Sequence, residues 1–266
     1  MRSAPRSVVA VGAVLAVSLV GCSSSKKATG GTAGRSGSSS SNITGTIAVS
    51  AASSLTESFN TLAKQFEAAH PGVTVKLNFG ASSDLAQQIN SGAPADVFAS
   101  ASPKNMKQVI DAKGANSSTN FVKNVLEIAV PPSNPAGISA IADLAKPGVK
   151  LALCQPQVPC GTVAAQVFAN AKVTVKPVTL EQDVKSTLTK VELDEVDAGV
   201  VYVTDVRSAG TKVTGIVIPD AVNASTEYPI ASLTKAPNAA GAQAFVAYVL
   251  SAAGQQVLAS AGFEKP

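Results

Sequence analysis

The chain has one histidine, no tryptophan, two methionines and three cysteines in 266 residues, and only 14% of its side chains are charged. Each shortage removes a class of activity. A single histidine, His70, cannot furnish a Ser-His-Asp or Cys-His constellation, and clustered His and Cys for a metal are lacking as well. His70 stands before Pro71 and Gly72, where it reads as a helix end whose dipole favours a cation. No GxGxxG opens a helix after a strand, and no GxxxxGK[ST] phosphate loop occurs. Ser232-Leu233-Thr234-Lys235 matches a bare SxxK, but it lies on an expected strand without SDN or KTG companions and reads as coincidence. Asp194, Glu195 and Asp197 in VELDEVDAG read as a solvated helix end and loop. The expectation is a protein that is not an enzyme and holds neither cofactor nor bare metal cation.

Acid is absent from the first 42 residues, which contain Arg2, Arg6, Lys26, Lys27 and Arg35. They account for more than the whole formal charge of +4. The other 224 residues carry 16 bases against 17 acids, a net −1, and Arg207 is their only arginine. A nucleic-acid binder needs many phosphate contacts from Lys and Arg, so that partner is excluded. With 45% hydrophobic residues, the body has ample material for a core.

Arg2 and Arg6 precede an apolar run from Val8 to Val20, too short for a membrane span of about 20 residues but suited to a signal-peptide core. The run ends in Leu19-Val20-Gly21-Cys22, which resembles the lipobox of bacterial lipoproteins. That resemblance implies cleavage after residue 21 and acylation of Cys22, with palmitate among the acyl groups. Residues 22–42 then read as the lipidated cysteine and a Ser/Gly-rich tether spanning roughly 25 Å. The expected location is the outer face of the cytoplasmic membrane. Export leaves Cys154 and Cys160, six residues apart in CQPQVPC, free to form a disulfide, and the sequence leaves both redox states open.

Strand and helix signals alternate through the body. TGTIAVSA (44–51), VTVKLNF (73–79) and DVFAS (96–100) read as strands, with helices over 55–69, 83–89 and 103–112. After LEIAV (126–130) the pattern restarts: helix ISAIADLA, strand VKLALC, helices TVAAQVFANA and EQDVKSTLTKV, and strand GVVYVT (199–204). VTGIVIP and EYPIASLT are later strands, and PNAAGAQAFVAYVLSAAGQQVLA is expected to be one long final helix. The fold class is α/β, with parallel strands and crossover helices in two small lobes.

Three Ser/Thr/Gly-rich segments each stand between a strand and a helix: AASSLT (51–56), GASSDL (80–85) and PCGT (159–162). Hydroxyls there can cap the helix, or join its free N–H groups in holding an anion. Three such starts in a body nearly devoid of arginine suit a dehydrated oxyanion site made of neutral donors.

The block from IAVSAASSLT to GAPADVFASA, followed collinearly by VPCG, EQDVKSTL, GVVYVTD and EYPIA, resembles the molybdate-binding proteins that serve ABC importers. The resemblance covers about residues 45–263. It implies a periplasmic-binding-protein type II-like fold, with a hinge and a ligand cleft between two α/β lobes, 43–128 plus 222–266 and 129–221. The lobes would join at the LEIAV and GVVYVT regions. It also implies capture of molybdate, with tungstate as a second ligand, and delivery to a permease with its ATPase by a monomeric receptor. Carried over, Ser54 (rather than Ser53) and Ser83 would donate from the first lobe. Backbone N–H groups of Cys160 and Val184 and the phenol of Tyr202 would donate from the second. Cys160 stands where the family often has alanine. The alternatives are the same fold tuned to sulfate or phosphate, and an exported serine hydrolase.

Overall fold

The computed structural model describes residues 43–266; the signal segment, Cys22 and the tether lie outside the described residues. The first lobe begins with β1 (Gly45–Ala52), α1 (Thr56–Ala69), β2 (Val73–Gly80), α2 (Ser82–Asn90), β3 (Val97–Ala99) and α3 (Pro103–Asp111). Strand β1 pairs in parallel with both β2 and β3, as successive strand-helix-strand units require. Helix α1 buries Phe59, Leu62, Ala63 and Phe66, the face expected from their spacing, and His70 is its C-cap.

The long strand β4 (Thr119–Val130) leads out of this lobe. Its first half, to Val125, pairs antiparallel with β9 (Ser225–Ser232), and from Leu126 onward it pairs with β7 (Ala198–Tyr202) and β8 (Thr214–Val217). The second lobe adds β5 (Leu151–Cys154), α4 (Pro159–Ala171), β6 (Thr179–Glu181), α5 (Val184–Glu192) and α6 (Val203–Ala209). Strand β9 then returns the chain to the first lobe, where α7 (Ala239–Leu250) and α8 (Ala252–Ala261) complete the packing. Two large apolar cores result, one built around Phe59, Phe66 and Phe245, the other around Ile128, Val167 and Val200.

Two crossings therefore join the lobes, one on β4 at Val125/Leu126 and one between β8 and β9. The second expected crossing, GVVYVT, is instead β7, inside the second-lobe sheet. Asn223 ties the crossings together, its amide donating to the Leu126 carbonyl at 2.9 Å. Because β4 and β9 run against their neighbours, each lobe has a mixed sheet rather than the purely parallel one expected.

Three local expectations also change. ISAIADLA forms only a short 3-10 turn, Ile141–Ala145, because the Asp143 carboxylate accepts from the Ser139 and Ala140 N–H groups ahead of the turn and Pro147 stands just beyond it. GVVYVT ends as strand at Tyr202, where α6 begins. The final helix is two, bent by 61° at Ser251, whose hydroxyl accepts from Gly254 N–H and starts α8.

Cys154 and Cys160 are joined in a disulfide, with Cα atoms 5.8 Å apart. It ties the end of β5 to the first turn of α4. Gly161 makes the same junction possible, because a Cβ there would lie 2.1 Å from the Gln155 carbonyl oxygen. Gly161→Ala is thus expected to lower stability by on the order of 3 kcal/mol, since the clash is with backbone. Urea unfolding checks this; an unchanged midpoint would show that the junction can relax.

Candidate functional site

The carboxyl ends of β1, β2, β3, β5, β6 and β7 converge between the lobes, and the segments that follow them line one small pocket. Its walls include Ser53 and Ser54, Ala81 and Ser82, Ala101, Val158 to Cys160, Val184 and Tyr202. Its volume is about 10 Å³, room for the centre of roughly one water-sized sphere.

Helix starts dominate these walls. A short 3-10 turn, Ser53–Leu55, leads into α1 and begins after Ala52, and α2 and α4 begin after Ala81 and Val158; none of these residues caps with a side chain. Elsewhere the chain caps its helices by the usual means: Ser102, Asn238 and Ser251 accept at the starts of α3, α7 and α8. The pocket thus collects helix starts whose leading N–H groups have no side-chain acceptor, each with about half a positive charge. Asp183 does cap α5, accepting from Ser186 N–H at 2.9 Å, which leaves the Val184 end of that helix toward the pocket.

Two serines line the same pocket. Ser82 is buried, and its oxygen accepts from the Ala101 backbone N–H at 2.9 Å. A backbone N–H can only donate, so the Ser82 proton is free for another acceptor. Ser54 is buried with its hydroxyl 2.9 Å from the Tyr228 hydroxyl. From the opposite lobe comes Tyr202, 1% exposed, whose hydroxyl has no hydrogen-bond partner among the described residues. Burial first, then the nearby Tyr228 and Asp205, hold its phenol far above the usual range, so it is a neutral donor at every ordinary pH. A buried hydroxyl without a partner costs stability unless a ligand supplies one.

Of the residues expected from sequence, the structure gathers Ser54, Cys160, Val184 and Tyr202. Ser83 is not among them. Its hydroxyl lies 3.2 Å from the Asp84 carboxylate and lines a separate groove between α2 and α3. Successive helical residues point about 100° apart, so only one of the two serines at the start of α2 can face inward, and it is Ser82. The disulfide leaves Cys160 on the pocket wall. Sequence reasoning missed Ala101 and Tyr228 altogether.

A model of the bacterial extracellular solute-binding protein family matches residues 47–264. The chain belongs to that family. This solute-binding protein is 39% identical over 257 residues to the molybdate-binding protein ModA of Mycobacterium bovis, covering 96% of each chain. It is 33% identical over 231 residues to the molybdate-binding protein ModA of Escherichia coli, covering 82% of this chain and 89% of that one. Its fold matches the periplasmic molybdate-binding protein of Azotobacter vinelandii with a TM-score of 0.74 at 20% identity, over 83% of this chain and 99% of that one.

No charged side chain lines the solute-binding protein's pocket. Lys185, next to Val184, lies 2.9 Å from Glu57 of the first lobe and 3.3 Å from the buried Asp205 of the second. Asp205 in turn accepts from the Tyr202 backbone N–H at 3.1 Å, which holds the start of α6. Burial raises the Asp205 carboxyl to about 6, with the Lys185 ammonium and the Tyr202 N–H opposing the rise. A carboxyl raised above its unfolded value binds protons in the fold that the open chain would not. Its contribution to stability is full below about pH 4 and is lost as pH rises through 6. The stability of Asp205→Asn relative to the natural chain is therefore expected to improve steadily from pH 4 to pH 7. Thermal unfolding across that range is the check, and a difference moving the other way would contradict the assignment.

Proposed function

We propose that this chain captures molybdate outside the cytoplasm and delivers it to an ABC importer. Tungstate, an anion of the same shape and charge, is the second ligand of the same pocket. The observation that carries the reading is the convergence of uncapped helix starts, the serines Ser54 and Ser82 and the unpartnered Tyr202 hydroxyl on one pocket. All are donors, none is a full charge, and together they suit a small dianion. Likeness to the ModA proteins supports molybdate as that dianion.

The ligand set is the hydroxyls of Ser54 and Ser82, the backbone N–H groups of Cys160 and Val184, and the phenol of Tyr202. Neutral dipoles serve better here than cations, because burying several ammonium or guanidinium groups would cost several kcal/mol each before any anion bound. The lobes close about β4 and the β8–β9 connection, bringing donors from both sides onto the anion and excluding water. Nothing in this set attacks or transfers a bond, so the protein is a receptor and not an enzyme. Acylated Cys22 holds it, as a monomer, at the outer membrane face within reach of the permease and its ATPase.

Calorimetric titration of the exported chain with molybdate, tungstate, sulfate and phosphate tests the reading. Molybdate is expected to bind, and at 100 times its dissociation constant to stabilise the fold by about 2.7 kcal/mol. Binding of sulfate or phosphate in preference to molybdate would assign the pocket to a different oxyanion. Ser54→Ala with Ser82→Ala removes two hydrogen bonds to a charged ligand and is expected to weaken affinity on the order of 100-fold or more. Ser83→Ala is expected to change it less than about twofold, and a loss as large as that of the double variant would restore Ser83 to the site.

A further inference from the structure

Tyr228 lies behind the pocket and does not line it. It is fully buried on β9, the strand that brings the chain back from the second lobe to the first. Its hydroxyl is 2.9 Å from Ser54 Oγ. Its ring meets that of Tyr202 from the other lobe edge-on, with centroids 6.1 Å apart and planes at 70°. Phe121 and Phe263 hold the same ring from behind at 6.4 and 5.4 Å. Tyr228 thus touches both residues whose side-chain hydroxyls were assigned to the anion from sequence and retained by the structure.

We infer that Tyr228 is a positioning residue that sets the direction of the Ser54 hydroxyl proton and the seat of the Tyr202 ring. A hydroxyl has one proton to give. If Ser54 donated to Tyr228, it would present lone pairs to the pocket and repel an anion. If Tyr228 donates to Ser54, the Ser54 proton is left for the ligand. Ser82 shows the same arrangement with its direction beyond choice, since the Ala101 N–H behind it can only donate. The first-lobe hydroxyls are therefore both backed by a protein donor, one from backbone and one from Tyr228. Burial holds the Tyr228 phenol above its usual range, so it keeps the proton it must give. Chains of this kind polarise one another, and the Ser54 donor strengthens when Tyr228 donates to it.

The inference rests on the oxyanion reading of the pocket, and the test separates the two. The natural chain is titrated first with molybdate and with sulfate; failure of both to bind contradicts the oxyanion reading itself. With whichever binds as probe, Tyr228→Phe keeps the ring and its edge-on contacts but removes the donor. Its affinity is expected to fall on the order of tenfold, with thermal unfolding of the unliganded protein changed far less. In a Ser54→Ala background the same change is expected to alter affinity less than about twofold, because the proton it directs is gone. Native affinity in Tyr228→Phe, or equal losses in both backgrounds, would overturn the inference. Should Tyr228→Phe fail to fold, NMR on the natural chain decides instead. The Tyr228 hydroxyl proton is expected to exchange slowly and to show a close contact to the Ser54 side chain in the liganded protein; exchange at the rate of a free phenol would overturn it.

Discussion

A desolvated hydrogen-bond donor must find an acceptor, and this protein buries several around a space that contains none of its own. The helical turns that begin after Ala52, Ala81 and Val158 lack the side-chain caps that the same chain supplies at Ser102, Asn238 and Ser251. The Tyr202 hydroxyl is buried without a partner. That unpartnered hydroxyl lowers the stability of the empty fold, by about 1 to 3 kcal/mol. The arrangement makes sense as a site whose ligand supplies the missing acceptors. Capture and structural completion are then the same event.

The two-lobed architecture makes that arrangement possible. Donors on one rigid surface would be solvated when empty and would bind weakly. By passing the chain between lobes on β4 and again before β9, the fold lets the carboxyl ends of six strands face one another across a cleft. Lys185 joins Glu57 of one lobe to Asp205 of the other, so full charges sit behind the pocket wall while the wall itself stays neutral. The body's near balance of acids and bases fits this division: selectivity for an anion comes from local dipoles, not from overall charge.

Much of this was legible in the residues. The first-lobe helices follow from helical spacing and its strands from β-branched and apolar runs, and the Ser/Thr/Gly-rich segments at 51, 80 and 159 lie on the segments that line the pocket. Ser82 could have been chosen over Ser83, because Leu85, Ala86 and Ile89 define the inward face of α2 and Ser82 lies three, four and seven residues before them. What pattern could not show is long-range. The pairing of β4 with two different sheets joins residues about 100 apart, and the contact of Tyr228 with Ser54 spans 174 positions. The bend at Ser251 escaped because its apolar periodicity continues across the cap.

The claim on which the account turns is that the anion sits among neutral donors at the strand ends. A crystal structure of the chain grown with molybdate, with anomalous data collected above the molybdenum edge, tests it most directly. The expected result is a single strong anomalous peak between the lobes, with oxygens in hydrogen-bonding distance of Ser54, Ser82, the Cys160 and Val184 N–H groups and Tyr202. A peak seated instead on a lysine or on Arg207, or in the α2–α3 groove beside Ser83, would contradict it.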